Sequence, residues 1–220
     1  MIRFIDKGII QVDPIVIPPR CYAEGRQQDC YTCKLHHGKG CGSPMSWCIC
    51  EYPGHKHGCP NYGSKDDCSP NMPLLFEVFD LEYPVYAAYT CFDFKEYMDK
   101  MKALHPGWSE RQCRCVLYWQ AGARKTHREF ATSALNMFLQ EHKGYWLTDS
   151  PEAMGTNVTS TLKKCAITLE WPCKERTYKI SLLAKLKDGV SEGTKVREKY
   201  AHLRDDGYIV FKREQRDNHI

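Results

Sequence analysis

Cys41, Cys50, Cys59 and Cys68 recur at an interval of nine residues, with Cys48 beside them. Turn formers fill the intervals: Pro53-Gly54, Pro60-Asn61-Tyr62-Gly63 and Ser69-Pro70. So few aliphatic side chains bury too little apolar surface to offset the entropy of ordering the segment. What remains to hold it is the sulfur, as metal ligand or as disulfide. Eight of the thirteen cysteines fall between Cys21 and Cys68, interspersed with His36, His37, His55 and His57.

The compartment decides between those two roles for sulfur. Arg3, Asp6, Lys7 and Asp13 break any secretory apolar core near the start. No run approaches the roughly 18 apolar residues of a membrane span. The expectation is a cytoplasmic chain with no membrane partner, in which dense cysteine means metal. The odd cysteine count points the same way, and the sequon at Asn157-Val158-Thr159 is then a coincidence. With 220 residues, 42% of them hydrophobic, the rest of the chain can build a real core. The net charge of +4 permits a small anionic molecule as partner without calling for nucleic acid.

Read in order, Ile9 to Val12 and Ile15 to Ile17 predict one or two strands before Pro18-Pro19. Loops and turns are expected from Cys21 to Pro73. Residues 85–90 read as a buried strand and Lys95 to Leu104 as a short helix. Ser109 and Gln112 form a capping-box pattern that opens a long helix to about Gln140. Its apolar face runs through Cys113, Val116/Leu117, Gln120, Ala123, His127, Phe130/Ala131, Ala134 and Phe138. Tyr145 to Thr148 reads as a strand, and Asp149 or Ser150 caps a helix to about Cys165 with Pro151 at its first position. Arg176 to Leu186 and Tyr208 to Phe211 are the last strand candidates. The fold class expected is α/β or α+β, a small mixed sheet with a long helix. A cysteine-rich metal-binding lobe at 1–73 precedes an α/β body at 74–220, probable units of one integrated domain.

Four thiolates suit either zinc or an iron–sulfur cluster. Zinc favours close pairs, and Cys30-Tyr31-Thr32-Cys33 could join Cys48-Ile49-Cys50 as a ribbon. The longer, even loops through Cys50, Cys59 and Cys68 suit a bulkier cluster, with proline after or near the ligand at Cys59-Pro60 and Cys68-Ser69-Pro70. The leading expectation is a [4Fe–4S] cluster on Cys50, Cys59 and Cys68 with Cys41 as fourth ligand. Cys21, Cys30, Cys33 and Cys48 are alternative ligands or a second site, and Zn2+ is the alternative metal. Three ligands alone leave one iron open, and an open metal can polarise a substrate atom. A closed site favours electron transfer or a structural role.

The block Cys50-x-Tyr52-Pro53-Gly54-His55-x-x-Gly58-Cys59-Pro60-Asn61-Tyr62-Gly63, followed by Cys68-x-Pro70, resembles a family of uncharacterised metal-binding proteins thought to carry an iron–sulfur cluster. Ser150-Pro151-Glu152-Ala153-Met154-Gly155-Thr156-Asn157-Val158 is similar to a second block of that family, which opens a helix. Together the blocks frame residues 48–186. The resemblance implies cluster binding and lends no reaction. Many members carry a further cysteine run before the second block, and here His142 to Ser150 has none.

The candidate substrate residues follow. His55 falls in the family block, as a ligand or proton donor near the metal, or as a solvated loop histidine. Arg111, Arg114, Lys125 and Arg128 would share one face of the long helix, either as an anion-binding stripe or as solvated surface. Arg124, beside the apolar face, would need a carboxylate partner if buried. Glu152 and Asn157 would sit in the first turns of the next helix, at an anion site or as ordinary caps. Cys91, Cys113, Cys115, Cys165 and Cys173 read as small buried hydrophobes, with Cys91 the first to exempt because it ends a strand. Two functions follow: an iron–sulfur protein that is an enzyme or a redox partner for a small anionic molecule, or a zinc-bound nucleic-acid-binding or protein-interaction module.

Overall fold

The computed structural model describes residues 2–12, 48, 58–62, 64–65, 68, 72–170, 172–190, 202–203 and 209–210. The expected strand at Ile15 to Ile17, the residues Cys21, Cys30, Cys33, Cys41, Cys50, His36, His37, His55 and His57, and Trp171 lie outside them.

The apolar run after Pro84 forms β2 (Val85–Asp93), and β1 (Arg3–Val12) pairs with it from one side. β4 (Arg176–Lys185) pairs from the other side and carries β3 (Tyr145–Thr148) at its far edge. The order β1-β2-β4-β3 makes one four-stranded sheet, and every pairing in it is antiparallel rather than mixed. β2 is central and covered on both faces, which is why it reads as a nearly unbroken apolar run. Residues 202–203 and 209–210 pair antiparallel as a separate short ribbon, the second of them inside the strand expected at 208–211.

Register places Ala88 opposite Ile9 and Ser181, and Thr90 opposite Lys7 and Lys179. Since side chains alternate across a sheet, these residues share one face with Leu147 and Leu183. That face packs on α4 (Gln120–Phe138) through Ala131 and Leu135. The opposite face, with Ala87, Leu182 and Ala184, packs on α1 (Leu75–Val78), Met154 and α5 (Val158–Lys164). α2 (Phe94–Leu104) begins where β2 ends, with the Asp93 carboxylate accepting from the Glu96 amide at 2.8 Å. It builds a third cluster from Phe94, Tyr97 and Met98 against Phe92, Cys113 and Trp119.

Two helices depart from their sequence patterns. The Ser109–Gln112 capping box forms, but the helix it opens, α3 (Glu110–Cys113), is a single turn. A 3-10 turn at Val116–Tyr118 then leads into α4. Val116 and Leu117, placed on the apolar face by their spacing, are 48% and 81% exposed. Trp119 takes the interior instead, with its ring centroid 5.6 Å from Phe94 and 6.4 Å from Tyr97. One indole carries more apolar surface than either aliphatic residue, so the chain breaks its helix to bury it. The second departure concerns residues 151–157. Residues 151–155 are turns and Gly155 lies at φ 86, so no helix starts at Pro151. Asn157 is the true N-cap, its side chain accepting from the Ser160 amide at 2.9 Å.

Gly8 on β1 supplies a first prediction. A Cβ there would come within 2.9 Å of the Tyr89 ring, whose hydroxyl donates to Asp6 at 3.2 Å. Gly8→Ala should therefore cost about 1 kcal/mol through overpacking, despite alanine's better strand propensity. Urea unfolding checks this, and a more stable variant would contradict it.

Candidate functional site

The described part of the cysteine-rich segment is a chain of turns. Gly58, buried and at φ 78, reverses the chain directly before Cys59. The Cys59 amide donates to the Cys48 carbonyl at 2.7 Å, so these two cysteines are neighbours through their backbones. Tyr62 then donates to the Cys59 carbonyl at 3.0 Å, Lys65 to Asn61 at 3.3 Å and Cys68 to Lys65 at 3.2 Å. Cys48, Cys59 and Cys68 are all partly exposed, at the surface rather than in the core. Among the described residues, no three His, Cys, Asp or Glu side chains gather closely enough to hold a metal by themselves. The other sequence-assigned ligands, Cys41, Cys50, Cys21, Cys30 and Cys33, lie outside the described residues. The donor set is sulfur, which suits zinc or an iron–sulfur cluster and not magnesium or calcium.

The basic stripe does not survive the helix break. Arg111 is exposed on α3, while Lys125 and Arg128 lie on α4. Arg114 follows α3 and is held inward: its Nε donates to Glu110 at 2.9 Å and its Nη1 to the Cys173 carbonyl at 2.6 Å. Arg124 is exposed, not buried. Arg128 Nε stands 3.7 Å from an Asp149 carboxylate oxygen. Asn157 is a helix cap. Glu152 keeps open surface although chain crowds it from most sides. That crowding raises its carboxyl, while its own backbone amide and Lys179 pull the other way.

A polar chain joins β2, β4 and the end of β3 to α4. His127 Nε2 is 2.7 Å from Ser181 Oγ, and Nδ1 is 3.0 Å from Thr90 Oγ1. Ser181 donates its hydroxyl to Asp149 at 2.5 Å. With that proton spent, Ser181 must accept from His127 Nε2–H, and Nδ1 must accept from Thr90. His127 is therefore neutral, its pKa lowered to about 4 by burial first and then by Lys179 and Arg128. Serine, histidine and aspartate invite comparison with a hydrolytic triad, but here serine stands between the other two and is fully buried. The chain is a satisfied core network rather than a nucleophile. By its spacing His127 belongs to the apolar helix face; its strand partners 37 and 54 residues away leave no local signal.

Cys91 and Cys113 are buried, as read from sequence, and Cys91 lies within β2 rather than opening onto a crevice. Cys115, Cys165 and Cys173 are partly exposed. Among the described residues no helix is long and apolar enough to cross a membrane. No protein-family model, curated protein or solved structure matches this chain.

Proposed function

We propose that the chain is an iron–sulfur protein, its cluster held by Cys50, Cys59 and Cys68 with Cys41 as fourth ligand, acting on or exchanging electrons with a small anionic molecule. The observation that carries this reading is the Cys59 amide on the Cys48 carbonyl at 2.7 Å, continued by the turns to Cys68. The described residues fold back at Cys48 and Cys59, and sulfur ligation would supply the stabilisation that so few aliphatic side chains cannot. A bound cluster would contribute either one-electron transfer or, with an open iron, a Lewis acid.

The same hydrogen bond favours one second reading. It places Cys48 beside Cys59, so Cys48 is a ligand candidate in its own right, as a zinc site using the close Cys48/Cys50 pair requires. The basic helix face that would have served nucleic acid in that reading is broken at Cys115.

Cys59→Ser should lose the metal and render the segment protease-sensitive, while Cys165→Ser, at the edge of the body, keeps both metal and fold. Elemental analysis and limited proteolysis of the two variants check this. Full metal content in Cys59→Ser would sink the ligand assignment.

A further inference from the structure

A pocket of about 270 Å³ lies where β2 runs into α2 and β4 begins. Apolar side chains of Phe94, Trp119, Leu169 and Pro172 line part of it. The cations Arg114, Arg176 and Lys179 line the rest, against the single carboxylate of Glu170 among the described lining residues. That carboxylate is already engaged: it accepts from the Lys174, Glu175 and Arg176 amides at 2.9, 2.8 and 3.3 Å. Burial alone would raise the Glu170 carboxyl, but these three bonds and the charge of Arg176 outweigh it and hold it below the usual range. Arg114 is pinned by Glu110 and the Cys173 carbonyl, its guanidinium 5.4 Å over the Phe94 ring.

Among the described residues, neither Arg176 nor Lys179 has a carboxylate within ion-pair distance, but the Arg176 guanidinium is engaged by Tyr178 and lies on the opposite face of β4 from Lys179. Lys179 Nζ instead lies 5.5 Å over the Trp119 ring, half-buried on the helix-covered face of the sheet. Burial, and next the charge of Arg124, lower its pKa to about 8, with Glu152 and Cys173 opposing. An incoming anion would supply the counter-charge that this amine lacks.

We propose that this pocket binds a small organic anion, a carboxylate or phosphate monoester on a short apolar body. Lys179 takes the charge, and Trp119, Leu169 and Pro172 take the body. The volume falls just under the roughly 300–1,000 Å³ of pockets for drug-sized ligands, so the ligand is smaller than those. The proposal locates the anionic partner of the function above, and it rests on that half of the reading and not on the metal. Of the residues expected from sequence to bind substrate, Arg114 alone lines it among the described residues.

Calorimetric titration of the full chain with phenyl phosphate, and with uncharged benzyl alcohol as comparison, tests it, with metal counted on the same sample. Phenyl phosphate should bind at least tenfold more tightly than benzyl alcohol. Lys179→Gln should weaken it tenfold or more, and Lys125→Gln should leave it unchanged. In case the Lys179 variant misfolds, acetic anhydride labelling of the unmutated chain gives a second readout. Phenyl phosphate should protect Lys179 and not Lys125. Absence of binding at millimolar phenyl phosphate, or Lys179 labelled equally with and without it, would overturn the pocket. Binding by a metal-free chain would uphold the pocket and remove the cluster, whereas a cluster-bearing chain that does not bind would do the reverse.

Discussion

Trp119→Ala should destabilise the chain by about 3–5 kcal/mol, the range for deleting a large aromatic from a packed core. Trp119 is 7% exposed and sits among Phe92, Phe94, Tyr97, Met98, Cys113 and Ala123. Its indole N–H donates to the Arg114 carbonyl at 3.4 Å, bridging the break between α3 and α4. The 3-10 turn exists to bring this ring inward, so its loss leaves both a cavity and a turn without purpose. For a chain of this size each kcal/mol is worth roughly 2–4 °C in melting temperature. Thermal unfolding reads the effect directly. A cost under about 1 kcal/mol would mean that the turn, and not the ring, organises this corner.

Acid should unfold the protein partly through His127. Its folded-state pKa of about 4 lies below the ordinary value of 6.5, so the folded chain holds it neutral. Its contribution is complete above pH 6.5 and is lost as pH falls toward 4, because the unfolded chain takes up the proton first. At about 1.4 kcal/mol per pH unit, the gap is worth about 3 kcal/mol. Protonation would also make Nδ1 a donor facing Thr90, which already donates to it. In His127→Gln, which keeps a donor and an acceptor but does not titrate, stability should decline less between pH 6.5 and 4 than in the parent chain. Urea midpoints across that range test this; parallel curves for the two proteins would contradict it.

These two residues also mark what the sequence made legible and what it hid. The buried run of β2 and the Ser109–Gln112 box are local signals, set by neighbouring residues, and both appear where expected. The break at Cys115 to Trp119 is not local. The apolar spacing from Cys113 to Ala123 stays in helical phase, so nothing in the period betrays that Trp119 displaces Val116 and Leu117. The start of β1 at Arg3 is hidden differently: it is an edge strand whose first five residues are exposed, so it lacks an apolar alternation. At residues 149–157 Asp149, Ser150 and Asn157 compete as caps, and the left-handed Gly155 decides for Asn157. The pocket was illegible because Arg114 is brought to Arg176 and Lys179 by the fold, across about 60 residues of sequence. The cysteine spacing, by contrast, was the first feature the sequence offered, and most of the residues that carry it lie outside the described ones.

The cluster is tested by an absorption spectrum of protein purified without air, with iron, sulfide and zinc counted on the same sample. A cluster-bearing chain is brown, with broad absorption across the near-ultraviolet and visible, and holds iron and sulfide in similar amounts. A colourless protein carrying zinc, or no metal at all, would contradict the proposal.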